Sequence, residues 1–146
     1  MRVHESGAML DPSPSRLDLD RVERWLATET YWARGRPRAD IVKSIENSMV
    51  WGLYTGGGEQ AGFFRVVTDK TTFAWLCDVF IDRDHRGRGL ASWALAHIRD
   101  ELLATGVYRI LLATSDAHAV YEKLGFTPHA EPEKWMELTT RRIGES

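Results

Sequence analysis

Val79-Phe80-Ile81-Asp82-Arg83-Asp84-His85-Arg86-Gly87-Arg88-Gly89-Leu90-Ala91 passes from an apolar run through a cationic loop with two glycines into the start of a helical pattern. A strand, a glycine loop and a helix in that order build a pocket for a diphosphate. Glycine lets the backbone approach an anion closely and successive amide N–H groups can point inward. The helix N-terminus adds about 0.3–1 kcal/mol per anionic interaction, up to about 2 when partly buried. Arg86 and Arg88 supply forked donors that match phosphate oxygens. The loop is not a Walker P-loop, because no Lys-Ser or Lys-Thr follows the second glycine, and it lacks the three-glycine dinucleotide fingerprint. For the glycines taken alone, a tight turn decorated with solubilising arginines is an equal reading.

Downstream of the loop, Leu90 to about Thr105 places Ala91, Ala94 or Leu95, Ile98 and Leu102 on one stripe, which predicts an amphipathic helix docked on a sheet. Gly106 stops it, and Tyr108 to Ala113 reads as a buried strand. A short helix is expected from about Ala117 to Lys123, ending at Gly125, with final strands at Phe126-Thr127 and Trp135 to Leu138.

Upstream, Met49 to Tyr54, Ala61 to Thr68 and Thr72 to Ile81 have strand character, and the turns between them are short enough for an antiparallel meander. Before the meander, Asp18 can cap a helix carrying Leu19, Val22 and Leu26 and ending near Thr30, and a second helix starts near Pro37. Residues 1–16 contain Pro12 and Pro14 and read as a loose lead-in with at most a short strand around Ala8-Met9-Leu10. The whole predicts an α/β chain with a mixed sheet: an antiparallel meander, then a β-α-β crossover, with helices on its faces.

Composition narrows the function classes. A chain of 146 residues with 43% hydrophobic content suits one domain with a real core. The net charge of −2 argues against a nucleic-acid partner, since phosphate-backbone binding needs a basic face. The single cysteine, Cys77, cannot form an intrachain disulfide, and no window approaches the roughly 20 apolar residues of a membrane span. A cytoplasmic protein without a membrane partner is the expectation, as the start also lacks the apolar core of a secretory signal.

From Leu76 through Phe126, about a third of the chain, the sequence resembles the GNAT superfamily of acyl-CoA-dependent N-acyltransferases. Arg86, Gly89 and Ala91 fill that family's loop signature, and Val120-Tyr121-Glu122-Lys123-Leu124-Gly125-Phe126 fills its second element. The residues between are enough for one helix, one strand and the start of a second helix. The resemblance implies a GNAT-like fold with a splayed central strand pair, a single acyltransferase domain over residues 17–140, and acetyl-CoA as co-substrate without a metal. It implies that the cofactor's diphosphate sits on Arg86, Gly87, Arg88, Gly89, Leu90 and Ala91, with the pantetheine arm along the backbone of Val79, Phe80 and Ile81. Where many members carry an asparagine contacting the cofactor, this chain has Thr114, whose hydroxyl substitutes in part.

For chemistry, the resemblance makes Tyr121 the proton donor to the departing thiolate, with a packed ring as its bland reading. Asp78, a carboxylate embedded in Leu76-Cys77-Asp78-Val79-Phe80, is the best candidate for a base; an ion pair that orders the strand is an equal alternative. His118 and a water chain are weaker candidates. Trp32 and Trp75 are expected to line the acceptor cleft, and Arg34 and Arg36 are candidates to recognise a carboxylate, with solvation as their default role. Strict alternation puts Asp78 on the face of Ala74 and Leu76 unless a bulge intervenes. The function expected is acetyl transfer to a primary amine of a small molecule or amino-acid-like acceptor in a ternary complex. The alternatives are a non-catalytic acyl-CoA-binding module and acylation of a protein amine. A homodimer is left open.

Overall fold

The computed structural model describes residues 1–141. Six strands form one sheet in sequence order: β1 (Arg2–Val3), β2 (Met9–Asp11), β3 (Met49–Tyr54), β4 (Gln60–Thr68), β5 (Phe73–Ile81) and β6 (Arg109–Leu111). All neighbours pair antiparallel except β5 and β6, which are parallel and joined by α3 (Leu90–Ala104). The remaining helices are α1 (Leu19–Arg24), which widens into a π-helical turn over Trp25–Glu29, α2 (Arg38–Glu46) and α4 (His118–Lys123). None of the described helices is long and apolar enough to cross a membrane.

Local sequence explains most of these boundaries. Asp18 accepts a hydrogen bond from the Arg21 N–H at 3.1 Å and so caps α1, and Pro37 stands at the N-cap of α2. The apolar stripe of α3 buries Leu90, Ala94, Leu95, Ile98 and Leu102 against Leu53, Phe64, Val66, Ala74 and Leu76. On the opposite face of the sheet, Val22, Trp25, Leu26, Ile41 and Ile45 pack on Val50, Phe63 and Phe80. Two apolar layers thus sandwich β3 to β5, the meander that carries the site.

Several expectations are corrected. Within residues 1–16 the short strand expected around Ala8-Met9-Leu10 is present as β2, and beyond that expectation β1 pairs with it, so both extend the sheet while Ala8 and Leu10 enter the core. Tyr108 to Ala113 is not a buried strand, because β6 lies at the sheet edge and its paired residues are half-buried or exposed. Neither Phe126-Thr127 nor Trp135 to Leu138 forms a strand; the segment after α4 is irregular apart from a short 3-10 turn at Pro132–Lys134. Met136 and Leu138 are almost fully exposed and pair with no strand among the described residues.

Candidate active site

Three local departures from regular structure build the site. The first is a bulge in β5. Phe63 pairs with Phe80 but Arg65 pairs with Cys77, so Asp78 and Val79 together stand opposite Phe64. Asp78 takes φ +49°, the left-handed region, which Asp tolerates better than most residues with a Cβ. The extra residue inverts the alternation: Ala74 and Leu76 face α3, whereas Phe80 joins the layer under α1 and α2. Asp78 is carried with it, off the α3 face.

On its new face Asp78 is 3% exposed and fully engaged. Its Oδ2 accepts from Arg36 Nη1 at 2.7 Å and from Arg65 Nε at 2.8 Å, and its Oδ1 accepts from Trp32 Nε1 at 3.0 Å. Burial pushes its pKa upward, but hydrogen bonds and charges from Arg36 and Arg65 outweigh that and hold the carboxyl below the ordinary 3.8. Arg65 carried no sequence signal of its own; only the bulge brings a β4 arginine onto this carboxylate. Trp32 and Arg36 come from the loop between α1 and α2, and Tyr31 of that loop stacks edge-on against Trp32 with ring centres 5.0 Å apart.

The second departure is the divergence of β5 and β6. They pair at Phe73 with Arg109, Ala74 with Ile110 and Trp75 with Leu111, and no further. From Leu76 to Ile81, β5 continues with β4 on one side and, among the described residues, no strand on the other. Trp75, at the last paired position, is 39% exposed on the face opposite Ala74 and Leu76, while Cys77 lies half-buried between it and Asp78. Burial pushes the Cys77 thiol up to about 11.

The third is the glycine loop. Asp82 ends β5, Arg83–His85 makes one 3-10 turn, and Gly87 and Gly89 take φ +79° and +72°. A Cβ built on either glycine would meet nothing within 4 Å, so both face open space. Gly89 is the N-cap of α3, and the first N–H returned to the helix ladder is that of Trp93, to the Gly89 carbonyl at 3.0 Å. Among the described residues, the N–H groups of Gly87, Arg88, Gly89, Leu90, Ala91 and Ser92 donate to no protein acceptor. The Arg86 N–H is different, since it closes the 3-10 turn onto the Arg83 carbonyl at 3.4 Å. The Arg86 side chain donates from Nε to the Ile81 carbonyl at 2.8 Å and lies over the Phe80 ring, so it braces the loop against the strand end.

An unbroken run of free backbone donors at a helix N-terminus, beside a sheet that opens between two parallel strands, fits an anion held at one end and an extended chain along the gap. Residues 19–126 match the Acetyltransferase (GNAT) family. The chain belongs to the GNAT acetyltransferase family.

Its likeness to other GNAT proteins spans nearly the whole chain. It is 28% identical over 143 residues to the candidate acetyltransferase FG08082 of Gibberella zeae, covering 84% of this chain and 81% of that protein. A candidate GNAT acetyltransferase of Xanthomonas campestris pv. campestris superimposes with a TM-score of 0.86 at 36% identity, over 91% of this chain and 93% of that one. The ribosomal-protein-S18-alanine N-acetyltransferase of Escherichia coli shares the fold, with a TM-score of 0.68 at 23% identity over 84% and 79% of the two chains.

The GNAT element around Tyr121 sits on α4. Tyr121 is half-buried, its ring edge-on to Phe126 at 5.8 Å, and burial, then Asp116 and Tyr31, push the phenol up to about 12. Thr114 does not present a free hydroxyl. It accepts from the Ala117 N–H at 3.1 Å and the Asp116 N–H at 3.4 Å and so closes the turn into α4. The next residue, Ser115, is tied to the α1–α2 loop, its Oγ lying 2.6 Å from the Tyr31 hydroxyl. Thr114, His118 and Tyr121 also line a cavity of about 650 Å³ on the outer edge of β6, bounded on its far side by Phe126 to Glu131.

Proposed function

We propose that this GNAT protein moves an acetyl group from acetyl-CoA to a primary amine by direct attack within a ternary complex. The observation that carries this reading is the run of unpartnered N–H groups from Gly87 to Ser92. Those donors would hold the diphosphate, with the α3 dipole behind them and Arg88 exposed beside them. The open side of β5 around Val79, Phe80 and Ile81 would pair with the pantetheine amides as an added strand does. Bound there, acetyl-CoA supplies the acyl group as a thioester.

Tyr121 remains a neutral phenol at physiological pH and can donate a hydrogen bond to sulfur as negative charge develops on it. A phenol at about 12 is a weaker acid than an alkyl thiol of roughly 8.5, so complete transfer from Tyr121 is uphill. Its role is to stabilise the departing thiolate, and the proton that the attacking amine sheds completes the thiol. Asp78, with both oxygens accepting from cationic or indole donors and its pKa lowered, is suited to positioning. It clamps the α1–α2 loop over the diverging strands, and the first proton of the substrate ammonium leaves through water before attack, so that the second is the one that completes the thiol. Cys77, held as a thiol, is unsuited to a covalent route.

The test is release of CoA thiol from acetyl-CoA with a panel of primary amines. Amine-dependent release supports the reading; CoA binding without release for every amine would instead favour an acyl-CoA-binding module.

A further inference from the structure

The clamp around Asp78 is electrically unbalanced. Two guanidinium groups, with side chains only 21% and 14% exposed, share one oxygen of a single carboxylate. Arg65 spends Nη1 on the Ser48 hydroxyl at 3.1 Å, a neutral partner. Among the described residues no second carboxylate lies within 4.0 Å of Arg36 or Arg65, and Arg36 Nε and Nη2 and Arg65 Nη2 donate to no acceptor. One surplus positive charge with unused forked donors is therefore held, mostly out of water, on the face of β5 where the bulge opens. A half-buried cation without a counter-ion is unfavourable, and an anionic ligand relieves it.

The surroundings give that anion a direction. Trp32 joins the clamp to the Tyr31 ring, and the Tyr31 hydroxyl reaches Ser115 at the entrance to α4. Asp116 and Tyr31 are close enough to Tyr121 to act on its phenol. A chain of contacts therefore runs from the cationic pair Arg36 and Arg65 through the aromatic pair Trp32 and Tyr31 to the turn before α4, which carries Asp116 and leads to Tyr121. Arg141 brings a further guanidinium to the same loop, donating to the Trp32 carbonyl at 3.4 Å.

Resting on the acetyltransferase reading, we propose that the acceptor is a small amine bearing an oxyanion, a carboxylate or a phosphate, and that Arg36 and Arg65 recognise this group while the amine is directed toward Tyr121. Arg36 and Arg65 are then specificity determinants, and Asp78 sets their orientation. A neutral or cationic amine leaves the surplus charge unmet.

The experiment measures thiol release by the full chain with acetyl-CoA and matched acceptors: glycine against glycinamide, 2-aminoethyl phosphate against ethanolamine, and 1,4-diaminobutane as a cationic control. The anionic member of at least one pair should show kcat/KM roughly tenfold or more above its neutral partner, mostly through KM, the size of one charge-assisted contact. The two pairs distinguish carboxylate from phosphate. Arg36→Gln should lower the ratio of kcat/KM for the anionic acceptor to that for its neutral partner, while Arg36→Lys should retain part of that preference. Equal or better turnover of the neutral or cationic amines overturns the proposal and leaves the acetyltransferase reading standing. Absence of thiol release with every amine overturns both. The wild-type comparison decides the matter even where Arg36→Gln fails to fold.

Discussion

The indole N–H of Trp32 donates to Oδ1 of Asp78 at 3.0 Å, joining the loop after α1 to a bulged strand residue 46 positions away. With Arg36 and Arg65 on the other oxygen, that bond makes the α1–α2 loop an extension of the sheet. Asp78→Asn keeps the shape and removes the charge that holds two half-buried guanidinium groups together. It should destabilise the protein by about 3 kcal/mol, the lower end for breaking a buried pair because the arginines retain some water contact. Chemical denaturation of the variant beside wild type measures this. A loss below about 0.5 kcal/mol, the ordinary surface range, would show that the clamp is not structural.

The same carboxylate sets a pH dependence. Its pKa is lowered on folding, so the stabilisation it contributes is fully present above the ordinary 3.8 and is lost as pH falls through the lower folded value. The stability gap between wild type and Asp78→Asn should therefore be constant from neutral pH to about 5 and shrink below the ordinary 3.8. A gap that instead shrinks between pH 8 and 6 would mean that another group titrates.

Removing one oxygen at Tyr121 separates chemistry from packing. Tyr121→Phe keeps the edge-on contact with Phe126 and deletes the hydroxyl proposed to donate to the leaving sulfur. Turnover should fall on the order of 10²-fold, typical for loss of one positioned hydrogen-bond donor to developing negative charge, with CoA affinity nearly unchanged. Steady-state kinetics paired with calorimetric CoA titration give both numbers; an unchanged kcat removes the assigned role.

Cys77→Ala should keep kcat within about twofold, because direct attack needs no enzyme thiolate. In wild type, alkylation of Cys77 near pH 7 should be slow and should accelerate only as pH approaches the raised value of about 11. An inactive Cys77→Ala variant that is still folded would point to an acyl-cysteine route.

Much of this architecture was legible from local pattern. The meander, the α3 stripe, Pro37 at the start of α2 and the strand–glycine loop–helix order all rest on short-range chemistry that tertiary packing reinforced. The divergences came from partners that sequence does not display. β1 and β2 are short and half-polar, and they became strands because the edge of β3 was available. Trp135 to Leu138 has equal strand character and stays irregular although the outer edge of β6 is unpaired among the described residues, and nothing in the structure explains this. In the site, the loop glycines were readable because φ above zero favours glycine. The Asp78 environment was not, since one extra residue in β5 decided which face received the carboxylate, and Arg65 entered only through that register shift.

Gly87→Ala and Gly89→Ala probe the loop itself. Each adds a Cβ in a left-handed conformation with open space around it, so the strain is of backbone origin and about 1–2 kcal/mol. A loop that relieves this strain by turning its amides should bind CoA roughly tenfold more weakly while the sheet still melts cooperatively. Affinity equal to wild type in both variants would show that the amides do not carry the contact.

The most direct test is an amide-resolved NMR titration of the protein with CoA. The N–H resonances of Gly87, Arg88, Gly89, Leu90, Ala91 and Ser92 should shift together and gain protection from hydrogen exchange on binding, more than any other contiguous segment. Saturable CoA binding that leaves those resonances unmoved, or no binding at all, would contradict the account.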